Sequence, residues 1–453
     1  MNQDTICALA TANGIGAIGI IRVSGEQAIE ICEKCFDGKA LTQQKSHTVH
    51  YGFIKDGDEV IDEVMVSIFL APKSFTTENS VEISFHGSPH IGKRILEVLI
   101  KNGARMAKAG EFTMRAFMNG RIDLSQAESI ADLIASENEA SRKVALQQLK
   151  GGISQEISVL RNDLLNFVSL IELELDFAEE DVEFADRTAL VQLLQKIESK
   201  LKSLIDSFQY GNAIKSGVAV AIIGKPNAGK STLLNALLKE ERAIVSDIAG
   251  TTRDTIEEVL HIKGNAFRLI DTAGLRETED AIEAIGVVKA KEKVAQADVL
   301  VYLIDVATTD LKDDLAMLQE LAREDLKIII CLTKIDEVEQ AEQKAKAIAK
   351  ILQSEIPSHE LLKISAKENI HLQDLKDELS TYVEHLKSES NVVITNQRHY
   401  ESLQKSIDAV YKVKEAITHQ ISTELLAYEL RNALEHLGEI SGEFTNDEVL
   451  GNI

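Results

Sequence analysis

A glycine-rich segment in the middle of the chain carries residue types that bind phosphate. Residues 224–231, GKPNAGKS, fit the pattern GxxxxGK[ST], after the apolar run 218–223 and before leucines at helical spacing. A strand, a tight turn and a helix in this order point backbone N–H groups and a helix N-terminus at one phosphate group. We expect Lys230 to reach the β- and γ-phosphates of a nucleotide, and the Ser231 hydroxyl to bind Mg²⁺.

Two polar loops downstream supply candidates for the metal and the terminal phosphate. The first, 247–254 (DIAGTTRD), places Thr252 as the second hydroxyl ligand of Mg²⁺. The second, 271–274 (DTAG), follows a predicted strand. Its Asp holds the water shell of the metal, and its Gly N–H faces the γ-phosphate. Between the loops we expect a β-hairpin that turns at Gly264-Asn265.

Two further strand ends indicate guanine rather than adenine. In 333–336 (TKID), the Asp336 carboxylate can accept hydrogen bonds from N1–H and the N2 amine of guanine, a donor pair that adenine lacks. The backbone of 364–367 (ISAK) can bind the guanine oxygen. GTPases more often have Asn in place of Thr333, so we expect a modest loss of nucleotide affinity and no change of base. The predicted GTP site comprises Asn227, Ala228, Gly229, Lys230, Ser231, Thr232, Ser246, Asp247, Ile248, Ala249, Gly250, Thr251, Thr252, Asp271, Thr272, Ala273, Gly274, Thr333, Lys334, Asp336, Ser365, Ala366 and Lys367.

Composition favours a cytoplasmic protein of several domains. The chain has 453 residues, 44% of them apolar, which suits about three domains. It has neither a run of about 18 uncharged apolar residues that would predict a membrane span nor the pattern of a signal peptide at its start. The net charge of −24 opposes direct binding of nucleic acid, unless a basic partner or patch supplies that surface. We interpret the CxxC pair Cys32 and Cys35 as reduced helix thiols rather than a zinc or redox site.

Hydrophobic periodicity predicts a multidomain fold, α/β plus all-α. Residues 1–119 alternate short β-like runs with helices, as in an α/β domain. Residues 120–215 and 381–453 are helical and amphipathic, and neither block is complete alone, so we expect one discontinuous helical bundle. Residues 216–380 form an inserted P-loop domain of the Ras-like GTPase type. The acidic segment 177–184 fits a solvated corner better than a metal site.

Five segments together resemble the MnmE (TrmE) family of tRNA-modification GTPases. They are GEFTMRAFMNGRIDLSQAESIADLI (110–134), GKPNAGKSTLLNAL (224–237), SDIAGTTRD (246–254), DTAGLRE (271–277) and EISGEFTNDEVLG (439–451). The second and fourth occur in many GTPases, whereas the first and last are much more particular. The resemblance covers nearly the whole chain. It implies that residues 1–119 bind a tetrahydrofolate and form a homodimer.

The resemblance also implies a reaction and a partner. With an FAD-containing MnmG-type protein, in a heterotetramer, the family installs an aminomethyl or carboxymethylaminomethyl group on C5 of the wobble uridine of certain tRNAs. The one-carbon donor is 5-formyl- or methylene-tetrahydrofolate, and tRNA is contacted mainly through the partner complex.

By position, the folate-binding residues of the family fall on Arg22, Glu82 and Arg121, the last where Lys is usual. The arginines would meet the glutamate carboxylates of the folate, and Glu82 the pterin. Without the resemblance, ordinary surface salt bridges would be the favoured explanation of each residue. The family's short tail with a Cys and a terminal Lys has no match in this sequence, which ends at residues 451–453, GNI.

For hydrolysis, the resemblance implies a K⁺ ion acting across two GTPase units of the dimer. Leu275 stands where many GTPases have a Gln that orients the attacking water. The K⁺ would take the place of an arginine finger and neutralise charge that develops between the β- and γ-phosphates. Its predicted ligands are Asn227, Ser246, Ile248 and Thr251. The predicted catalytic residues are Glu283, Lys230 and Thr252, although a solvated glutamate explains Glu283 equally simply.

Two other classes of function stay open. One is a regulatory GTPase switch in RNA or ribosome assembly, without modification chemistry. Residues 110–134 and 439–451 favour modification over this switch, because an assembly GTPase would more often carry a basic RNA-binding appendage. The other is a folate-binding module with a vestigial GTPase. Four intact residues argue against it: Lys230, Ser231, Thr252 and Asp271.

Overall fold

The computed structural model describes most of the chain. The described residues are 4–176, 187–242, 258–270, 291–292, 294–356, 358–387, 392–419 and 421–443. They fold as two compact units, which comprise residues 1–134, 147–162 and 434–453 in the first, and residues 135–146 and 163–433 in the second. The division into four sequence segments stays a prediction. None of the described helices is long and apolar enough to cross a membrane.

A seven-stranded sheet forms the centre of the first unit. Its strands are β1 (Ile6–Leu9), β2 (Ile18–Ser24), β3 (Phe36–Asp37), β4 (Thr48–Asp56), β5 (Glu59–Phe69), β6 (Ser80–His86) and β7 (Arg105–Met106). The order is β3-β4-β5-β6-β2-β1-β7, and every pair except β1–β7 is antiparallel. The alternation of short strands with helices that the sequence predicts for residues 1–119 is observed in this unit.

Strand alternation gives this sheet one apolar face and one polar face. Helices α1 (Ala28–Cys35) and α2 (Pro89–Lys101) share an apolar core with Val81 and Ile83 of β6. Successive side chains of a strand point to opposite faces, so Glu82 lies on the other face. The pairing of β2 with β6 places Arg22 directly opposite Glu82.

The four cysteines of the described chain are buried and free. Burial raises the pKa of Cys35 to about 11, which keeps the thiol protonated at neutral pH. Among the described residues, no group of three or more His, Cys, Asp or Glu side chains is arranged to hold a metal ion. Cys32 and Cys35 lie in helix α1, and their interpretation as reduced thiols rather than a zinc or redox site stays a prediction.

Helices complete the first unit and form much of the second. They are α3 (Glu111–Met118), α4 (Leu124–Ile134), α5 (Glu139–Leu149), α6 (Gly152–Asp176), α7 (Arg187–Ser216), α12 (Gln397–Thr418) and α13 (Thr423–Ser441). Helix α7 packs against α12: the rings of Phe208 and Tyr400 stack at 4.5 Å, and Lys414 Nζ lies 2.6 Å from Glu198. Helices on either side of the P-loop segment therefore pack together.

A six-stranded sheet forms the centre of the P-loop fold in the second unit. Its strands are β8 (Val218–Gly224), β9 (Glu258–Ile262), β10 (Asn265–Leu269), β11 (Val299–Asp305), β12 (Lys327–Thr333) and β13 (Glu360–Lys363), in the order β13-β12-β11-β8-β10-β9. All pairs except β9–β10 are parallel. The remaining helices are α8 (Lys230–Arg242), α9 (Lys312–Leu321), α10 (Ala341–Glu355) and α11 (Leu372–His385). Separate apolar cores lie on the two faces of the sheet, as in doubly wound folds.

The hairpin in this sheet turns one residue earlier than expected. Asn265 already pairs with Ile262, so the two loop residues are Lys263 and Gly264. Their φ angles of 50° and 85° suit the two-residue turns that match strand twist. The predicted turn at Gly264-Asn265 is therefore wrong by one position.

The chain leaving the P-loop fold crosses α7 at close range. The N–H of Ile394 donates to Ser207 Oγ at 3.0 Å. A Cβ atom on Gly211 would lie 1.9 Å from the Ile394 carbonyl oxygen, so no larger residue fits there without movement. Further along α7, Ala213 joins the core beneath the six-stranded sheet. The segment around Ile394, which follows the P-loop fold in the chain, therefore packs tightly against α7 close to the six-stranded sheet.

Candidate functional site

The glycine-rich turn follows β8, one of the two central strands of the six-stranded sheet. Gly224 ends β8 beside Leu303 of β11, and a Cβ atom on Gly224 would lie 2.6 Å from the Leu303 carbonyl oxygen. The loop then curls through Asn227 and Gly229, whose φ angles are +64° and +96°. These left-handed residues turn the backbone toward the start of α8, which builds the phosphate-binding loop that the motif predicts.

The Lys230 ammonium lies inside the curve of this loop. It donates hydrogen bonds to the carbonyl oxygens of Gly224, at 2.6 Å, and Lys225, at 2.9 Å. Ser231 and Thr232 follow in the first turn of α8 and are exposed. The loop therefore presents one cation, a helix N-terminus and two hydroxyl groups on the same side, a donor set suited to a phosphate chain and Mg²⁺.

Thr333 connects the end of β12 to the phosphate-binding loop. Its hydroxyl donates to the Ala228 carbonyl at 2.9 Å and lies 3.3 Å from the Ile304 carbonyl. The Thr333 residue is only 4% exposed, so this bond is shielded from water. Although Thr replaces the usual Asn here, it still ties the base-recognition strand to the loop.

The two loops expected to read the base lie next to each other. Lys334 pairs with Asp305 at 2.8 Å, and Asp336 is exposed at the start of the loop after β12. Lys367, in the loop after β13, lies 3.3 Å from Glu337. Ser365 is buried, and its backbone pairs with that of residue 370. This pairing closes the turn that contains Ala366. The structure thus places the two predicted segments next to each other, with Lys367 in contact with the residue that follows Asp336.

The other predicted residues of the nucleotide site lie outside the described residues. They are Ser246, Asp247, Ile248, Ala249, Gly250, Thr251, Thr252, Asp271, Thr272, Ala273, Gly274 and Glu283. The second Mg²⁺ ligand, three of the four K⁺ ligands and the water-orienting glutamate therefore stay predictions. So does the acidic corner at 177–184.

The three predicted folate residues meet around an aromatic ring in the first unit. Arg22 donates from Nε and Nη2 to Glu82 Oε1, at 2.9 and 2.8 Å. The Arg22 guanidinium lies 5.1 Å from the centre of the Phe75 ring and 5.7 Å from that of Phe112. The Arg121 guanidinium lies 5.1 Å from the same Phe75 ring. Cation–π contacts at these distances hold both arginines beside Phe75.

A cleft of about 590 Å³ opens beside Arg121. Its wall is the segment 70–79, which buried polar contacts hold in place: Asn119 donates to the Thr76 carbonyl at 2.7 Å, and Arg115 pairs with Glu78 at 3.1 Å. Lys73 and Arg121 both line the cleft, so it is basic as well as partly apolar. An aromatic ligand with carboxylate groups suits such a lining.

Two family models cover nearly the whole chain. The model described as the MnmE helical domain matches residues 124–453, and the model described as the GTP-binding protein TrmE N-terminus matches residues 5–121. The chain belongs to the MnmE family. The relatives of known name agree with this assignment, and the resemblance inferred from the five sequence segments is confirmed.

MnmE relatives match the chain from end to end. The protein named tRNA modification GTPase MnmE from Flavobacterium psychrophilum is 52% identical over 459 residues, covering 100% of this chain and 98% of that protein. The one from Cytophaga hutchinsonii is 50% identical over 453 residues, covering 100% and 96%. The prediction of a GTP-hydrolysing enzyme is confirmed at the level of the family.

Sequence reasoning missed several residues of these MnmE sites. Phe75 and Phe112 hold the arginines of the first unit, and Lys225, Tyr302 and Asp314 surround the base of the phosphate-binding loop. Phe75 had a weak signal, since it is an aromatic residue in a polar segment between two strands. The contacts of Tyr302 and Asp314 had none, because both residues fit the ordinary pattern of a buried strand and an acidic helix start.

Proposed function

We propose that this chain is a K⁺-activated GTPase that acts with an FAD-containing partner to install an aminomethyl or carboxymethylaminomethyl group on C5 of the wobble uridine, position 34, of certain tRNAs. The observation that carries the GTPase part is the Lys230 ammonium inside a loop joined by Thr333 to the base-recognition strand. Family membership supports the modification part.

The residues of the loop bind and orient the nucleotide. Backbone N–H groups of 224–231 and the N-terminus of α8 cradle the phosphates, and Lys230 contacts the β- and γ-phosphates. The hydroxyl of Ser231, with that of Thr252, holds Mg²⁺. Asp336 accepts hydrogen bonds from guanine, and the turn after β13 carries the backbone that meets the guanine oxygen.

A K⁺ ion replaces the arginine finger of other GTPases in this proposal. Asn227 is exposed and lies in the left-handed region of backbone conformation, with a φ of +64°. Ser246, Ile248 and Thr251 complete the ligand set, and Glu283 orients the attacking water. A bound K⁺ ion would supply positive charge near the β- and γ-phosphates, where negative charge develops during hydrolysis. Two GTPase units of a homodimer enclose it.

The cluster of Arg22, Glu82, Phe75 and Arg121 serves the one-carbon donor, 5-formyl- or methylene-tetrahydrofolate. The basic cleft beside Arg121 suits the glutamate carboxylates of a folate, and Phe75 offers an aromatic surface to its rings. Only Oε1 of Glu82 receives hydrogen bonds from Arg22. The second oxygen would be able to accept a hydrogen bond from a pterin N–H group without loss of the ion pair.

The net charge of −24 suits a division of labour with the partner. Like-charged surfaces repel the phosphate backbone, so a basic partner of MnmG type supplies most of the tRNA contact. Two copies of this chain and two of the partner form the working heterotetramer.

The test is nucleoside mass spectrometry of bulk tRNA from cells that lack this chain. We expect the C5-aminomethyl-type wobble uridines to disappear and to return with the wild-type chain. Return should fail with Lys230→Ala, which removes the phosphate contact, and with Glu82→Ala, which removes the predicted pterin contact. Glu59→Ala, an exposed change in the same unit, is the matched control.

Purified protein gives a second readout. GTP turnover should be faster in K⁺ than in Na⁺, and turnover per molecule should rise with protein concentration, because the site is completed by dimerisation. Unchanged wobble nucleosides in cells lacking the chain would refute the modification function. A regulatory switch would then be the better proposal if GTP turnover persisted.

A further inference from the structure

We propose that Asp314 and Tyr302 are positioning residues for the nucleotide site: they hold Lys225 against helix α9 and so fix the loop in which Lys230 binds phosphate. The inference rests on the proposed GTPase function and adds to it two residues outside the sequence motifs. It concerns the packing behind the loop, which no motif of the chain describes.

The contact is built on a buried carboxylate. Lys225 Nζ lies 3.0 Å from Asp314 Oδ2, and the Tyr302 hydroxyl donates to Asp314 Oδ1 at 3.1 Å. The Asp314 side chain is only 3% exposed. The Lys225 ammonium approaches at an angle outside hydrogen-bond geometry, so charge rather than an aligned hydrogen bond makes this link. A buried carboxylate is costly without such a partner.

The Tyr302 hydroxyl stays protonated, so it acts as a hydrogen-bond donor to the Asp314 carboxylate. Burial raises the pKa of the Tyr302 phenol, and the neighbouring Asp314 charge raises it further. Tyr302 lies in the middle of β11, where it pairs with residue 223 of β8 just before the loop begins. Asp314 is therefore held in place both by Tyr302 of the sheet and by its own helix, α9.

Lys225 transmits this position to the phosphate-binding lysine. While its side chain is held by Asp314, its carbonyl oxygen accepts the 2.9 Å hydrogen bond from Lys230 Nζ. The same carbonyl accepts from the Ala228 N–H at 3.2 Å, and Ala228 is the residue that Thr333 holds from the other side. Both ends of the turn 225–228 are thus tied to the sheet.

The attraction of Asp314 also keeps the second lysine of the loop away from the phosphates. Lys225 and Lys230 are the two cations of the segment GKPNAGKS. With the Lys225 ammonium at α9, Lys230 alone lies within the curve of the loop. Loss of the buried carboxylate frees Lys225 and loosens the turn that orients Lys230.

A purely structural role for Asp314 is the competing explanation, because acidic residues stabilise helix N-termini. Asp313 provides the matched comparison. It lies in the same first turn of α9, and its Oδ2 accepts a 3.2 Å hydrogen bond from Lys225 Nζ, but its side chain is 86% exposed, so water screens this contact. A helix-start effect would act on both residues, whereas a positioning effect requires the buried one.

The experiment measures the dissociation rate of a fluorescent GDP analogue from the full-length chain. We expect Asp314→Asn to speed dissociation about tenfold, the size expected for a weakened charge-assisted contact, and Tyr302→Phe to act in the same direction. Asp313→Asn should change the rate less than about twofold, because exposed pairs contribute little. The turnover rate at saturating GTP should fall less than the affinity.

A double mutant tests the path through Lys225. If Asp314 acts through this residue, Lys225→Met combined with Asp314→Asn should be no worse than the more severe single change. Equal rates for wild type and Asp314→Asn, or equal effects of Asp313→Asn and Asp314→Asn, would overturn the proposal. If Asp314→Asn does not fold, the dissociation rates of the GDP analogue from Tyr302→Phe and Lys225→Met test the proposal instead. Rates equal to that of the wild type would overturn it. Failure of the wild-type chain to bind guanine nucleotides would refute the proposed function instead.

Discussion

The hydroxyl of Thr333 donates a 2.9 Å hydrogen bond to the carbonyl of Ala228, a residue 105 positions earlier in the chain. This bond joins the strand that ends in the predicted guanine-recognition segment to the predicted phosphate-binding loop. Both parts of the site are therefore held at a fixed distance, which a nucleotide needs if its base and its phosphates are to be bound together.

Removal of this hydroxyl should weaken nucleotide binding. Thr333→Val keeps the shape of the side chain but leaves the Ala228 carbonyl without its donor, and we expect the GDP dissociation constant to rise about tenfold. Thr333→Ser, which keeps the hydroxyl, is the control. Thr333→Asn should bind at least as tightly as wild type. Fluorescence titration with a GDP analogue measures all three, and a valine variant equal to wild type would contradict the role.

The base preference should change with Asp336. In Asp336→Asn the carboxylate no longer accepts from N1–H and the N2 amine of guanine, and we expect GTP affinity to fall about 100-fold or more. Xanthosine triphosphate, whose ring has a carbonyl at position 2, should bind better than GTP. Competition binding with both nucleotides measures the change. Glu337→Gln, the exposed neighbour, should leave the preference as it is.

The close approach of Ile394 to α7 should leave no room for a side chain at position 211. Gly211→Ala places a Cβ atom 1.9 Å from the Ile394 carbonyl, and we expect a loss of roughly 2 kcal/mol or more in stability from this overpacking. Thermal unfolding followed by circular dichroism measures it. Gln209→Ala, an exposed site on the same helix, should shift the midpoint little. Equal midpoints for the two variants would contradict the close approach.

Stability should fall in acid partly because of Glu111. Burial opposes ionisation of this carboxylate, but hydrogen bonds from Arg105, the Lys108 N–H and Arg115 outweigh it and lower the pKa to about 2, from an ordinary 4.5. A carboxylate with a lowered pKa stabilises the folded state above its unfolded pKa. This contribution, roughly 3 kcal/mol at neutral pH, is lost as pH falls from about 4.5 toward 2.

Glu111→Gln tests this pH dependence. The variant should be less stable than wild type at pH 7, and the gap should narrow below about pH 4.5. Glu139→Gln is the control, because Glu139 forms an exposed pair with Arg142 that water screens. Thermal midpoints from pH 7 down to about pH 2 give the comparison. A gap independent of pH would mean that the Glu111 charge is not what stabilises the unit.

The local parts of both sites could be predicted from sequence, because adjacent residues determine them. The segment GKPNAGKS joins β8 to α8, as its apolar flanks indicate. The hairpin at residues 263–264 shows the limit of this reasoning. Two neighbouring pairs of residues could form the turn, and only the pairing of the strands decides between them.

Sequence by itself therefore determined the P-loop, the strand and helix on either side of it, and the family of the chain. The tertiary structure decided what holds these parts together: Thr333 on Ala228, Asp314 on Lys225, and Phe75 beside Arg22 and Arg121. The physical reason is separation along the chain. A motif records residues that are fixed by local backbone geometry, whereas these contacts join distant residues whose meeting depends on how the whole sheet packs.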